Sequence, residues 1–370
     1  MKMEKINVEL AKKSDDRILN KILRQNEMKG KISIAFQRNP SYFSALKIEG
    51  KQNQVIVGRN EKDEIIGFGT RSIKPIYING RVKNVGYLSN LRIVKGYKEK
   101  GYLSEGYNYL KKLHQDKKVD IYYSTILEGN RVAIKILTSK KSYLPNYHDI
   151  GRYCTIAINL FTKQKKYNNK LKIIKGSTQN LMEIVNFINK NGSKKQFYPF
   201  YTLSDFTSKN SNLIGFDIKD FYVALKDEKI VGVIGKWDQR QFRQIIITGY
   251  KGAMLVIKSF YNLIARFMGV SPLPKPNTQL RFLYVSFIAI EKDYLEIFKE
   301  LLYTLYNDSV GKGYSHILIG LHSNDSLLKV VDEFNHIKFN SRLYIVCWQD
   351  GEKFFNELDN RIPYIELSTL

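Results

Sequence analysis

The stretch with the clearest chemical suggestion runs from Leu91 to Leu110. Val85, Tyr87 and Leu88 lead into Leu91 and Ile93 as the end of a strand, and Gly96 and Gly101 then bracket a cationic turn. Leu103, Tyr107, Leu110 and His114 follow at spacings of four, three and four, which places them on one face of a helix, with Lys111, Lys112 and Gln115 pointing away. A strand that turns through glycine and lysine into a helix presents unpaired backbone N–H groups and the positive end of a macrodipole, a natural setting for phosphate. The same pattern also describes an ordinary strand, turn and amphipathic helix.

Other chemistries leave no pattern. His114, His148, His316, His322 and His336 lack the four-residue helical spacing of a zinc site and have no paired cysteine beside them, so no metal is expected. No serine sits in a Gly-x-Ser-x-Gly elbow. Cys154 and Cys347 lie in apolar strand-like runs, where buried free thiols in a reducing compartment explain them.

Leu91-Arg92-Ile93 followed by Tyr97-Lys98-Glu99-Lys100-Gly101-Tyr102-Leu103 resembles the strand end and pyrophosphate turn of the GNAT acyltransferase superfamily. Lys98 stands where arginine or glutamine is usual, Gly101 is the one glycine kept, and Glu99 and Leu103 occupy places where glycine or alanine is common. The resemblance implies an acyl-CoA site, acetyl-CoA being the expected cofactor, built from Leu91, Arg92, Ile93, Lys98, Glu99, Lys100, Gly101, Tyr102 and Leu103. It also implies direct transfer of the acyl group to an amine in a ternary complex. Asn130 to Leu137 looks like the helix after the fifth strand of that family, with Asn130 as its cap, either purely structural or also a coenzyme contact. Leu137 stands where many relatives have a tyrosine that protonates the leaving thiolate; Tyr143 and Tyr147 in the next loop are its substitutes. Glu128, at the end of a strand, is the candidate general base, or else an exposed strand-end carboxylate. Ser89 and Asn90 are placed to orient substrate.

The elements around this stretch follow the family's order. A strand at Ile6–Leu10 precedes a helix capped by Ser14, Asp15 or Asp16, then a strand at Ile32–Phe36 and a helix after Asn39-Pro40-Ser41. Val55–Val57 and Ile65–Gly69 flank the polar loop Asn60–Glu64 as a hairpin, a separate segment follows Lys74-Pro75 at Ile76–Ile78, and Val82–Ile93 leads into the turn. Ile121–Leu127 reads as a central strand and Gly151–Ile158 as the closing one. The pattern then restarts: Tyr222–Leu225 and Ile230–Gly235 repeat the hairpin, Gly232 matching Gly67, and Ser341–Cys347 echoes the strand around Arg152. The predicted fold is α/β with a mixed α+β sheet, in two tandem GNAT-like domains, each a mostly antiparallel central sheet flanked by helices. The expected boundaries are 1–162 for the acyl-CoA domain, 163–170 for a linker, 171–350 for a second copy with a helical insertion at about 252–279, and 351–370 for a tail. Glu291 to Glu296 follows the second copy's strand Phe282–Ile290 without a glycine, so that copy is expected to be degenerate.

Composition narrows the setting. The 370 residues are 43% apolar, which excludes a disordered chain, and 60 Lys plus Arg against 35 acidic residues give a net charge of +25. Spread along the whole length, that charge favours anionic ligands such as coenzyme A, with nucleic acid a lesser possibility in the absence of a recognition motif. Glu4 and Glu9 and the lack of an apolar core in the first ten residues predict no secretory signal, and no apolar run reaches membrane-spanning length, so the default location is cytoplasmic. The expected acceptor is an amine on a small molecule or a protein. Two alternatives stand beside the acetyltransferase: a Fem-like transferase using aminoacyl-tRNA, which also pairs two GNAT-like domains, and a non-catalytic coenzyme A-binding module.

Overall fold

The computed structural model describes the chain except for residues 1–5, 98–100, 165–170, 253–257, 259–261 and 263–274. Most of the expected linker and insertion lies outside the described residues. The strands are β1 (Asn7–Leu10), β2 (Ile32–Gln37), β3 (Gln52–Arg59), β4 (Ile65–Ile78), β5 (Arg81–Ile93), β6 (Tyr122–Leu127), β7 (Asn146–Asn159), β8 (Lys172–Lys175), β9 (Phe221–Lys226), β10 (Lys229–Trp237), β11 (Gln244–Tyr250), β12 (Thr278–Gln279), β13 (Phe282–Ile290), β14 (His316–His322) and β15 (His336–Cys347). The described α-helices are α1 (Asp16–Gln25), α2 (Tyr42–Leu46), α3 (Tyr102–His114), α4 (Arg131–Leu137), α5 (Leu181–Gly192), α6 (Leu203–Thr207), α7 (Leu295–Ser309), α8 (Leu328–Val331) and α9 (Glu352–Asn356). None of the described helices is long and apolar enough to cross a membrane.

Twelve strands form one sheet in the order β1-β3-β4-β5-β6-β15-β7-β14-β13-β10-β9-β8. Every neighbouring pair is antiparallel except β5/β6 and β13/β14. The order reads alike from both ends, and it crosses in the middle: β15 pairs with β6, and β7 pairs with β14. Each closing strand therefore completes the part of the sheet begun by the other half of the chain. Cys154, Ile156 and Ile158 of β7 join the core of β9, β10, β13 and α7, while Leu343, Ile345 and Cys347 of β15 pack with Ile76, Val85 and Tyr87. At roughly 1.5–3 kcal/mol for each large apolar side chain buried, withdrawing either closing strand would expose several such side chains and strip the other half's core.

Local signals account for most elements. The Asn60–Glu64 loop joins β3 to β4, with Asn60 Oδ1 accepting from the Lys62 and Glu64 amides. The break expected at Lys74-Pro75 is absent, because β4 runs through Pro75, whose carbonyl takes the Phe200 amide at 3.0 Å. Gly67 faces the Tyr102 ring, which a Cβ would approach to 2.6 Å; Gly232 faces Ile297 and Leu301 of α7 in the same way, at 2.5 and 2.9 Å. A helix thus sits close against each sheet half where glycine makes room. β2 lies outside the large sheet, in a second sheet with β11 and β12. Its pairing with β11 brings the segment between α1 and α2 against the second half.

Candidate active site

The site begins with an irregularity in β5. Phe68 pairs with Arg92 and Thr70 with Ser89, so Asn90 and Leu91 together stand opposite Gly69. Asn90 absorbs the extra residue with φ of 56°, a β-bulge held in the left-handed region. On its other edge β5 pairs with β6 only at Gly86–Tyr122 and Tyr87–Tyr123. Beyond that, Ser124 Oγ donates to the Leu88 carbonyl at 2.9 Å and no further pair joins the two strands. The sheet opens there, beside the bulge.

One face of the opening carries a buried polar network. Glu49 ends the short 3-10 turn after α2 and is fully buried. Its carboxylate accepts from Ser89 Oγ at 2.7 Å, from Arg38 Nη2 at 2.5 Å and from Asn90 Nδ2 at 3.3 Å. Arg38 Nη2 also donates to Asn90 Oδ1 at 3.2 Å, and the guanidinium lies 4.8 Å from the centre of the Tyr42 ring. Burial works against the Arg38 charge, but Glu49 and Tyr42 more than restore it, and its pKa lies above the ordinary arginine value. Four residues along β4 from Thr70, which pairs with Ser89, Lys74 Nζ donates to Thr369 Oγ1 at 2.8 Å and faces the Tyr123 and Tyr87 rings at 5.6 and 5.9 Å. Burial pushes Lys74 down to about 8, against the upward pull of Glu49 and Glu366 and with Arg243 adding to the fall. Among the described residues, Arg38 Nη1 and the Tyr123 hydroxyl are buried without a hydrogen-bond partner.

The opposite face belongs to α3 and α4. Gly101, at φ of 84°, caps α3; its carbonyl takes the Glu105 amide at 3.2 Å and Ser104 Oγ at 2.7 Å. Tyr102 is buried with its ring against Gly58 and Gly67, where a Cβ would come within 2.3 and 2.6 Å, and burial raises its pKa. This ring pins the start of α3 to β3 and β4. Lys98, Glu99 and Lys100 lie outside the described residues. Leu91 and Leu103 pack on a cluster that contains Tyr107, Leu110 and Leu137. Ile93 pairs with Gly67, and Arg92 donates to the Leu91 carbonyl at 2.9 Å.

The remaining sequence candidates are spread around this centre. Asn130 caps α4, its side chain accepting from the Ala133 amide at 3.2 Å. Glu128 turns toward the neighbouring strands, bonded to Arg152 Nε at 2.8 Å and 3.9 Å from Arg342 Nη1. Tyr143 is half-buried on the α3/α4 side, near a 2.6 Å contact between the Tyr107 and Tyr147 hydroxyls; burial, set against the bond from Tyr147, leaves Tyr107 pushed up to about 12. Sequence reasoning passed over Glu49, Arg38 and Lys74. Alternation along β4 offered a signal for Lys74, since it puts a lysine on the same face as Phe68 and Ser72. Nothing local marked Arg38 or Glu49.

The second half has the same irregularity, filled. Val233 pairs with Ala289 and Gly235 with Ser286, and Phe287 has φ of 56°. β13 and β14 pair at Phe282–His316, Leu283–Ile317 and Tyr284–Leu318 and go no further. Here the bulge amide of Phe287 donates to Glu366 Oε2 at 2.8 Å and that of Ile288 to the Tyr364 hydroxyl at 3.3 Å. Tyr364 and Ser368 also donate to the Glu366 carboxylate, each at 2.9 Å, and burial raises its pKa. Among the described residues, no side chain accepts from the Asn90 or Leu91 amide in the first half. At the start of α7, Asp293 is held by Lys195 Nζ at 2.7 Å.

No family model matches the chain. No curated protein matches it in sequence. Solved structures do match in fold. The glucosamine N-acetyltransferase region of a fungal multi-domain GH3 β-N-acetylglucosaminidase, described as GCN5-related, superposes with a TM-score of 0.62 at 11% identity, over 92% of this chain and 38% of that one. The chain thus spans well under half of that fungal protein. Saccharomyces cerevisiae N-myristoyltransferase with bound myristoyl-CoA gives 0.60 at 10% identity, over 94% and 79%. A GCN5-related N-acetyltransferase from Anabaena variabilis gives 0.52 at 10%, over 92% and 72%. With its bulged β5, the opening beside β6 and the glycine turn into α3, the chain has the GNAT fold.

Proposed function

We propose that the chain is an N-acyltransferase that moves an acyl group, acetyl in the first instance, from coenzyme A to an amine. The observation that carries this reading is the opening between β5 and β6, with a bulge whose amides no side chain among the described residues occupies, joined through a glycine turn to the start of α3. In this reading the pantetheine arm lies along Leu91–Ile93, and the α3 end at Gly101, Tyr102 and Leu103 takes the pyrophosphate with Lys98 and Lys100. The thioester carbonyl then reaches the bulge, where a backbone N–H polarises it as charge builds on oxygen. The amine approaches from the Glu49 face. As the C–N bond forms, the nitrogen loses a proton through Ser89 Oγ to Glu49; as the C–S bond breaks, the thiolate takes a proton on the α3/α4 side, where Tyr143 is the available phenol. Both carboxylates are ion-paired, Glu128 with Arg152 and Arg342 and Glu49 with Arg38, but Glu49 is joined to the bulge through Ser89 and Asn90, and that placement favours it as the base. The filled bulge at Phe287 supports one acyl-CoA per chain, the second half bracing the first.

The similar proteins named above, a glucosamine N-acetyltransferase region among them and an N-myristoyltransferase, guide the acceptor panel: glucosamine, a peptide with a free amine and simple diamines. Calorimetry with acetyl-CoA and myristoyl-CoA comes first, then thiol release over the panel. Binding of one acyl-CoA per chain with turnover of at least one amine is the expected result. A folded chain that binds neither thioester refutes the proposal.

A further inference from the structure

Away from the opening, at the start of β6 where β15 and β7 lie side by side, three side chains of different chemistry converge. His148 of β7 pairs with Ile345 of β15, and Cys347 lies two residues further along β15, so the imidazole and the thiol share a face. The chain then turns sharply through Gln349–Gly351. A Cβ on Gly351 would come within 2.5 Å of the Asp120 carbonyl and 2.8 Å of Cys347 Cβ, so only glycine lets this turn pack onto the cysteine. The next residue, Glu352, is thereby set over Cys347, and its Oε1 lies 3.0 Å from His148 Nε2 and 2.5 Å from Asn146 Nδ2. Phe355 stacks on the His148 ring at 3.9 Å between centres and 15° between planes, which holds the imidazole in its orientation. The ring nitrogen, the thiol sulfur and the carboxylate oxygen all lie within 4.8 Å of one another.

We propose that His148, Cys347 and Glu352 bind a divalent thiophilic cation, zinc by its chemistry, that fastens β7, β15 and α9 together. Bonds of about 2.0–2.3 Å in tetrahedral geometry set ligand atoms roughly 3.3–3.8 Å apart, so the three donors need to close by only about an ångström. One thiolate, one imidazole and one carboxylate suit zinc; magnesium and calcium call for oxygen alone. Cys347 is buried, whereas the His148 and Glu352 side chains are 27% exposed each, which leaves an entry path and a fourth position for water beside Asn146. On binding, the Cys347 proton goes to solvent, and the contacts of Glu352 with His148 and Asn146 yield to the metal. The role is structural: each half supplies its closing strand, and the ion spans the crossing.

The test uses the untagged full-length chain, stripped with a chelator and titrated with cobalt(II). One equivalent is expected to bind with a near-ultraviolet sulfur-to-cobalt absorption that zinc bleaches, and zinc is expected to raise the melting temperature. Cys347→Ser should abolish the band and Cys154→Ser should keep it; His148→Gln and Glu352→Gln should each weaken binding at least tenfold. The two latter changes are at partly exposed positions, and circular dichroism of each variant separates lost ligation from lost fold. A folded wild-type chain without the band, or a band that survives Cys347→Ser, overturns the proposal.

Discussion

Lys74 allows a worked prediction. It is 8% exposed, on a strand buried on both faces, and burial pushes its pKa down to about 8. An unfolded lysine titrates near 10.4, so between these values the unfolded chain holds more protons than the folded one, and stability rises with pH across that window. At about 1.4 kcal/mol per pH unit the charged lysine costs the fold about 3 kcal/mol at pH 7 and about 1 kcal/mol near pH 10. Lys74→Met removes that penalty and loses one hydrogen bond to Thr369, about 1 kcal/mol. The variant is therefore expected to be more stable than the parent by about 2 kcal/mol at pH 7 and about equal to it near pH 10. Urea unfolding of both proteins at intervals from pH 6.5 to 10 measures the difference, which cancels the tyrosines that also titrate in that range. Parallel curves, or a variant less stable at pH 7, would refute the reasoning by showing that Lys74 is charged without strain in a solvated or well-paired site.

Three further outcomes are expected. Glu49→Gln keeps the shape of the network but not the base; thiol release should fall at least about a hundredfold, while calorimetry shows unchanged acetyl-CoA affinity. Arg38→Met leaves the buried Glu49 charge unpaired and should cost about 3–5 kcal/mol in urea unfolding near neutral pH, and a loss under 1 kcal/mol would mean that water reaches the carboxylate. Gly67→Ala drives a methyl into the Tyr102 ring and should cost about 1–3 kcal/mol, most of it recovered when Tyr102→Leu is added, as a double-mutant cycle can show.

The part of the site that was legible in the residues is the part that local rules build. The alternation into Ile93, the glycine at 101, the helical spacing from Leu103 to His114 and the asparagine cap at 130 each act over a few residues, and each appears where its pattern predicts. The likeness of Gly67 to Gly232 was readable for the same reason, since a hairpin and the glycine that admits a helix are near neighbours in the chain. Glu49 escaped notice because its meaning lies in Ser89 and Asn90, forty residues on, and in Arg38 on another element. The same holds for His148 with Cys347 and Glu352, some two hundred residues apart.

The amino-acid sequence alone determined most elements of the first half and their order, the glycine turn into α3 and the absence of glycine before α7. Tertiary structure alone decided that β7 and β15 cross, that Tyr364 and Glu366 fill one bulge, and that Glu49 stands at the other. The physical reason is that every strand edge offers the same N–H and C=O groups and most faces here are similarly apolar, so no local feature chooses between partners. That choice falls to the arrangement that buries all the faces and satisfies the buried charges together.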